Sequence, residues 1–292
     1  MMKIFFYSLL CLLIILFFGQ NSDAAAGLKM LTVEPGARPV GMGGAFSSIP
    51  GDPYSAAFNP AARWGVKGLA GSFGYDSYWE NTRMETGYIS FEKRAVAISA
   101  GIHFAAVDNL EGRLGPTSDF ITFDAHDVMF KLGAAFELEK NYIFGFSLGM
   151  MYEEIDTDDD AAFNFDLGLL MQPEEGLNIG LAVLNFGSTM QLRDEAFDLP
   201  TTYRAGISYL FRGLTGAVDI VNVDDDTHLH LGGEYNFANN FYIRAGYRTG
   251  YDTKNFSGGF GFARRNLRID YAFLPYKEGL SDAHLFNLTF QI

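Results

Sequence analysis

From Gly68 to the last residue, large apolar side chains recur at every second position, with polar or small residues between them. The end of the chain shows it most plainly: Phe286, Leu288, Phe290 and Ile292 alternate with Asn287, Thr289 and Gln291. Upstream, Leu267, Ile269, Tyr271 and Phe273 alternate with Arg268, Asp270 and Ala272, and Tyr203, Ala205, Ile207, Tyr209 and Phe211 with Arg204, Gly206 and Ser208. Successive side chains of a strand point to opposite faces, so each run predicts a strand with one greasy face and one polar or small face. About fourteen such runs are legible, at 68–78, 84–92, 94–106, 126–138, 141–152, 161–172, 177–186, 201–211, 213–222, 228–237, 241–249, 255–263, 266–274 and 284–292. Each is roughly ten residues, the length at which a strand tilted by about 45° crosses a bilayer.

The connections alternate in length. Positions 92–94, 139–141, 211–213, 238–240 and 264–266 read as tight turns, whereas 107–125, 153–160, 187–200, 223–227, 250–254 and 275–283 read as longer loops. Short turns on one side and long loops on the other are the asymmetry of an outer-membrane barrel, and an even strand number suits it. The expectation is an all-β fold: a transmembrane antiparallel β-barrel of about 14 strands over 68–292. Tyr142, Tyr152, Tyr203, Tyr209, Tyr247 and Tyr271 lie toward run ends, where amphipathic rings favour the headgroup region.

The N-terminus reads as a secretory signal. Lys3 precedes an apolar run from Ile4 to Phe18, and Ala24, Ala25 and Ala26 offer a cleavage site, so 1–26 is expected to be removed. Cys11, the only cysteine, lies within that run, so the mature chain has no thiol for disulfides, catalysis or metal binding. The net charge of −14 opposes a nucleic-acid partner, because phosphate binding needs a basic face. No G-x-S-x-G or H-E-x-x-H motif appears, and no enzyme activity, cofactor or metal is expected. His228 and His230 lack a clear third ligand and read as a polar strand end, and Asp156, Asp158–Asp160 and Asp224–Asp226 read as solvated loop tips.

Residues 27–67 lack sustained alternation and concentrate glycine and small residues. Fourteen strands leave a lumen that side chains alone do not fill, and this segment is the candidate plug. Gly133, Gly145, Gly149, Gly168, Gly180, Gly206 and Gly232 fall on the inward face and leave room for it. Lys131, Asp166, Arg204, Glu234, Arg244, Arg248, Arg268 and Asp270 share that face, with signs that allow pairing with one another or with plug backbone. Within the plug, Gly41, Gly43, Gly44, Asn59 and Pro60 are the candidate shape-setting residues.

The stretch Gly36-Ala37-Arg38-Pro39-Val40-Gly41-Met42-Gly43-Gly44-Ala45-Phe46, followed by Asn59-Pro60-Ala61, resembles the N-terminal signature of the PorV/PorQ family of FadL-like outer-membrane proteins. Asn185-Phe186-Gly187, Tyr203-Arg204-Ala205-Gly206, Arg244-Ala245-Gly246-Tyr247-Arg248 and Asp270-Tyr271-Ala272-Phe273 follow in the same order. The resemblance covers nearly the whole mature chain, and it implies a 14-stranded barrel with a luminal plug in the bacterial outer membrane. Its partners would be lipid, lipopolysaccharide and the barrel-insertion machinery. Ile292 departs from the terminal Phe common in such barrels, with Phe290 available in its place. Three roles follow: passive uptake of a hydrophobic small molecule past the plug, docking of proteins of a type IX-like secretion system, or a structural barrel without ligand. Uptake is the first expectation, because the sequence has a plug but no docking module.

Overall fold

The computed structural model describes residues 29–78, 82–113, 119–192, 195–238 and 240–292; the expected signal segment 1–26 lies outside them. Fourteen strands close into one antiparallel barrel. They are β1 (Gly68–Ser77), β2 (Thr82–Lys93), β3 (Val96–Arg113), β4 (Phe120–Glu139), β5 (Tyr142–Ile155), β6 (Asp158–Glu174) and β7 (Leu177–Gly187), then β10 (Thr202–Phe211), β11 (Leu214–Val223), β12 (Asp226–Phe237), β13 (Phe241–Arg248), β14 (Phe256–Arg264), β15 (Leu267–Leu274) and β16 (Ala283–Gln291). A separate two-stranded hairpin, β8 (Met190–Leu192) and β9 (Glu195–Phe197), lies between β7 and β10. Each barrel strand corresponds to one alternating run, in order. Closure comes from β1 against β16, with Ala70 opposite Gln291 and Ser77 opposite His284, so the barrel has no free edge.

The barrel is inverted relative to a soluble protein. Phe73 is 60% exposed on the outside, and Phe256, Phe260, Ile243 and Ile269 are similarly bare, while Asp219, His230 and Arg248 inside are fully buried. Outward aromatics pack across strands, as in Phe241–Phe262 at 4.8 Å and Tyr271–Phe286 at 4.9 Å. Such cross-strand pairs on the pleated surface help hold the register. No helix among the described residues is long and apolar enough to cross a membrane.

One end of the barrel carries two-residue turns between long strands. Arg94, Asn141, Arg212 and Arg265 adopt positive φ there, the backbone that a tight hairpin requires. This is the turn end, and the opposite end is the loop end. The expected loops at 107–125, 153–160 and 223–227 are corrected. Strands β3 and β4 continue to Arg113 and from Phe120, and β5–β6 and β11–β12 close through residues 156–157 and 224–225. Alternation persists beyond the apolar band, so ladder pairing continues where the outward side chains have turned polar. Hydrophobicity alone therefore ended these runs too early. The stretch 187–200 is also more than an exposed loop: its hairpin turns inward and buries Met190 completely.

Candidate functional site

Residues 30–67 make contact with inward-facing groups around the barrel, from Met30–Val33 at the loop end to Gly65, whose N–H donates to Glu92 at 2.5 Å, at the turn end. The segment contains a 3-10 turn (Lys29–Thr32) and two short helices, α1 (Ala37–Gly41) and α2 (Ser55–Phe58). Gly43 and Gly44 reverse the chain after α1 with φ of 67° and 70°, which an L side chain rarely adopts. A Cβ on Gly43 would strike Leu231 O and Tyr247 N, so here two backbones meet without side chains between them. Gly41 lies over Arg244 and Gly259 at ordinary contact distance.

Asn59 joins the segment to the wall: its Nδ2 donates to Ser47 O at 2.9 Å and Leu169 O at 3.1 Å, and its Oδ1 accepts from Ala61 N at 2.9 Å. Pro60 O accepts from Arg63 Nε at 2.7 Å, and Pro60 rests on Gly145. Burial pushes the Arg63 guanidinium down to about 10, and it donates to Ser99 and Ser147 hydroxyls.

The charged residues form a closed cycle of six alternating signs. Arg38 pairs with Asp52 at 3.0 Å and with Glu234 at 2.7 Å; Glu234 with Arg244 at 2.6 Å; Arg244 with Asp270 at 2.8 Å; Asp270 with Arg268 at 2.7 Å; and Arg268 returns to Asp52. Four members come from the wall and two from the inner segment. The cycle is neutral, and each ion has two opposite neighbours, the condition under which buried charge is tolerated. Burial raises the Asp52 carboxyl, but Arg268 and Arg38 outweigh it and hold it at about 2.

A second cluster centres on Glu34. Its Oε1 accepts from Arg204 Nη2 at 3.1 Å and its Oε2 from Arg248 Nη2 at 2.8 Å, while His230 Nδ1 lies 3.3 Å from Oε1. Burial raises this carboxyl, but Arg248, His230 and Arg204 together hold it well below the usual range. His230 Nε2 meets the hydroxyl of Tyr251 at 3.0 Å, and Tyr251 stacks on His228 at 3.8 Å. His230 thus links the loop after β13 to the inner segment. A third pair, Lys131 with Asp166 at 2.8 Å and Asn185 at 2.7 Å, fills an irregularity of the β6–β7 ladder between Phe165 and Leu167.

Above these charges the lumen turns apolar. Met30, Met84, Met129, Met151 and Met190 are buried in one cluster with Leu199, Leu274 and Leu285, and Leu31, Val33 and Phe197 pack against it. Beside it lies a cavity of about 310 Å³ with mixed walls: Leu31, Phe58, Met129, Leu184 and Val221 are apolar, while Glu34, Lys131, Arg204, His228, Asp252 and Lys254 bring polar and charged groups to it. Burial lowers the Lys254 ammonium to about 8, and its Nζ lies 4.7 Å from the centre of the Tyr251 ring.

The eight charged residues assigned to the inward face from sequence fall into three groups, of which Lys131 with Asp166 is one. Arg204 and Arg248 belong to the Glu34 cluster; Glu234, Arg244, Arg268 and Asp270 belong to the cycle. Sequence reading missed Glu34, Arg38, Asp52 and Asp219, whose carboxylate accepts Phe46 N at 3.0 Å and Ser47 N at 2.9 Å. A signal was available: five luminal cations faced only three expected carboxylates, and the segment meant to fill the lumen carried two acids.

No protein-family model matches the sequence, and no curated protein matches it. Solved structures do. The CymD monoaromatic hydrocarbon channel aligns over 92% of this chain and 99% of its own, with a TM-score of 0.69 and 16% identity. The Pseudomonas putida toluene transporter TodX gives 0.67 and 13% over 92% and 98%. A Pseudomonas aeruginosa FadL homologue gives 0.60 and 12% over 87% and 98%. The chain therefore shares the fold of these three proteins.

Proposed function

We propose that this protein is a PorV/PorQ-type channel of the bacterial outer membrane that admits small hydrophobic molecules passively, with residues 27–67 as its plug. The observation that carries the proposal is the buried, methionine-rich apolar cluster at the loop end, beside a cavity whose walls are part apolar and part charged. Methionine side chains are flexible and polarisable, and they adapt to ligands of varied shape. At about 310 Å³ the cavity has room for a small aromatic molecule against its apolar side, formed by Leu31, Phe58, Met129, Leu184 and Val221. Below the compartment, Glu34 and the six-membered cycle tie the inner segment to the wall. A molecule that travels further must displace or skirt these contacts.

The fold shared with hydrocarbon channels supports the same reading, as does the outward apolar band. Cells lacking their own hydrocarbon channel, when supplied with this protein, should accumulate radiolabelled toluene several-fold faster than cells carrying an empty vector. Met129→Lys, which puts a charge against the cavity, should return uptake to background while heat-modifiable gel migration still reports a folded barrel. Background uptake by the unaltered protein, present and folded in the outer membrane, would reject the transport reading in favour of a docking role.

A further inference from the structure

An inward row near the loop end of the barrel on its β2–β6 side reads Met84, Ala105, Asp127, Glu153 and Asp160, each directly opposite the next. Directly opposed residues in an antiparallel pair have Cβ atoms about 4.5–5.5 Å apart, and like charges so placed repel. Asp160 Oδ2 accepts Gln191 N at 2.7 Å, which ties the row to the β8 strand. Asp127 and Glu153 have no basic partner among the described residues, in contrast to Asp166 one strand away, which Lys131 neutralises. Glu153 is 8% exposed, and its Oε2 is buried without a hydrogen-bond partner. A buried carboxylate facing a second carboxylate is stable only when something neutralises the pair.

We infer that Asp127 and Glu153 bind a hard divalent cation, Ca²⁺ or Mg²⁺, with Asp160 at the margin of the site. Both ions take carboxylate oxygens, and both complete a shell with water where the protein supplies few ligands. No three acidic, histidine or cysteine groups among the described residues enclose an ion by themselves. The site is therefore a two-carboxylate platform rather than a closed cage. Its place suggests its consequence: an ion there joins β4 to β5 and, through Asp160 and Gln191, steadies the hairpin that covers the methionine-rich compartment.

The test uses the full-length protein in detergent at pH 7.5 after washing with chelator. Titration with CaCl2, and separately with MgCl2, at constant ionic strength should show saturable binding of one ion and a rise in melting temperature. Asp127→Asn with Glu153→Gln should weaken that binding by at least about tenfold, while melting without cation stays the same or rises, because the repulsion is gone. Saturation by either ion alone supports the site. Three results would overturn it: no saturable binding of either ion, binding unchanged in the double variant, or binding lost only when Asp224 and Asp225 are replaced.

Discussion

Gly246→Leu should prevent stable assembly of the barrel, whereas Gly216→Leu should be nearly neutral. The two glycines lie on adjacent parts of the same wall but on opposite faces. A Cβ on Gly246 would overlap the backbone of Met42 and Gly43, and no side chain is available there to swing aside. A Cβ on Gly216 meets nothing within 4 Å. Overpacking of a buried site costs about 1–3 kcal/mol where neighbours can move. Here the obstacle is the chain itself, so the loss should reach ~3 kcal/mol or more and include detachment of α1. At Gly216 the added side chain enters the outward apolar surface and costs nothing comparable. Urea unfolding followed by gel migration measures both variants. Equal midpoints for the two would mean that residues 42–44 do not press on the wall.

Deletion of residues 27–67 should convert a barrel that conducts no ions into an open pore. A lumen bounded by fourteen strands exceeds what inward side chains fill, and here many of those side chains are glycine. Gly133, Gly145, Gly168, Gly180 and Gly232 all face atoms of the inner segment. Removing the segment leaves those surfaces empty and strips Arg204, Arg248 and Arg268 of the Glu34 and Asp52 carboxylates. Arg268 keeps Asp270 and Glu234 loses Arg38, so charges of both signs then line a wet channel. Planar-bilayer recordings are expected to show stable ohmic steps for the deletion and a flat trace for the full chain. The double substitution Glu34→Ala and Arg38→Ala, which keeps the chain length, should flicker between the two behaviours. A deletion variant that inserts but conducts no better than the full chain would mean that the loop-end hairpin and wall side chains close the lumen.

The strands were legible because a barrel in lipid imposes the simplest of patterns, period two with its apolar side outward. Phe286, Leu288 and Phe290 could be assigned to the outer face without any structure. The ends of β3 and β4 were not legible in the same way. Around Asp124 and Glu111 the outward face loses its apolar character while pairing goes on, so the hydrophobic signal stops before the hydrogen bonds do. The inward charges could be named but not grouped, because grouping depends on register between strands distant in sequence and on a segment without period. Glu34 is the sharpest case. It precedes the glycine-rich motif in an unpatterned stretch, and only the fold reveals that two arginines and a histidine converge on it. Met190 lay in a stretch read as an outer loop, and its burial follows from the inward turn of β8.

The central claim is that the loop-end compartment takes a small apolar molecule. Diffraction from crystals of the full-length protein soaked with 4-bromotoluene, collected at the bromine edge, measures this directly. The account predicts an anomalous peak inside the barrel, in contact with Leu31, Phe58 and Met129. Ordered water in that cavity, with bromine found only on the outer apolar surface, would contradict it.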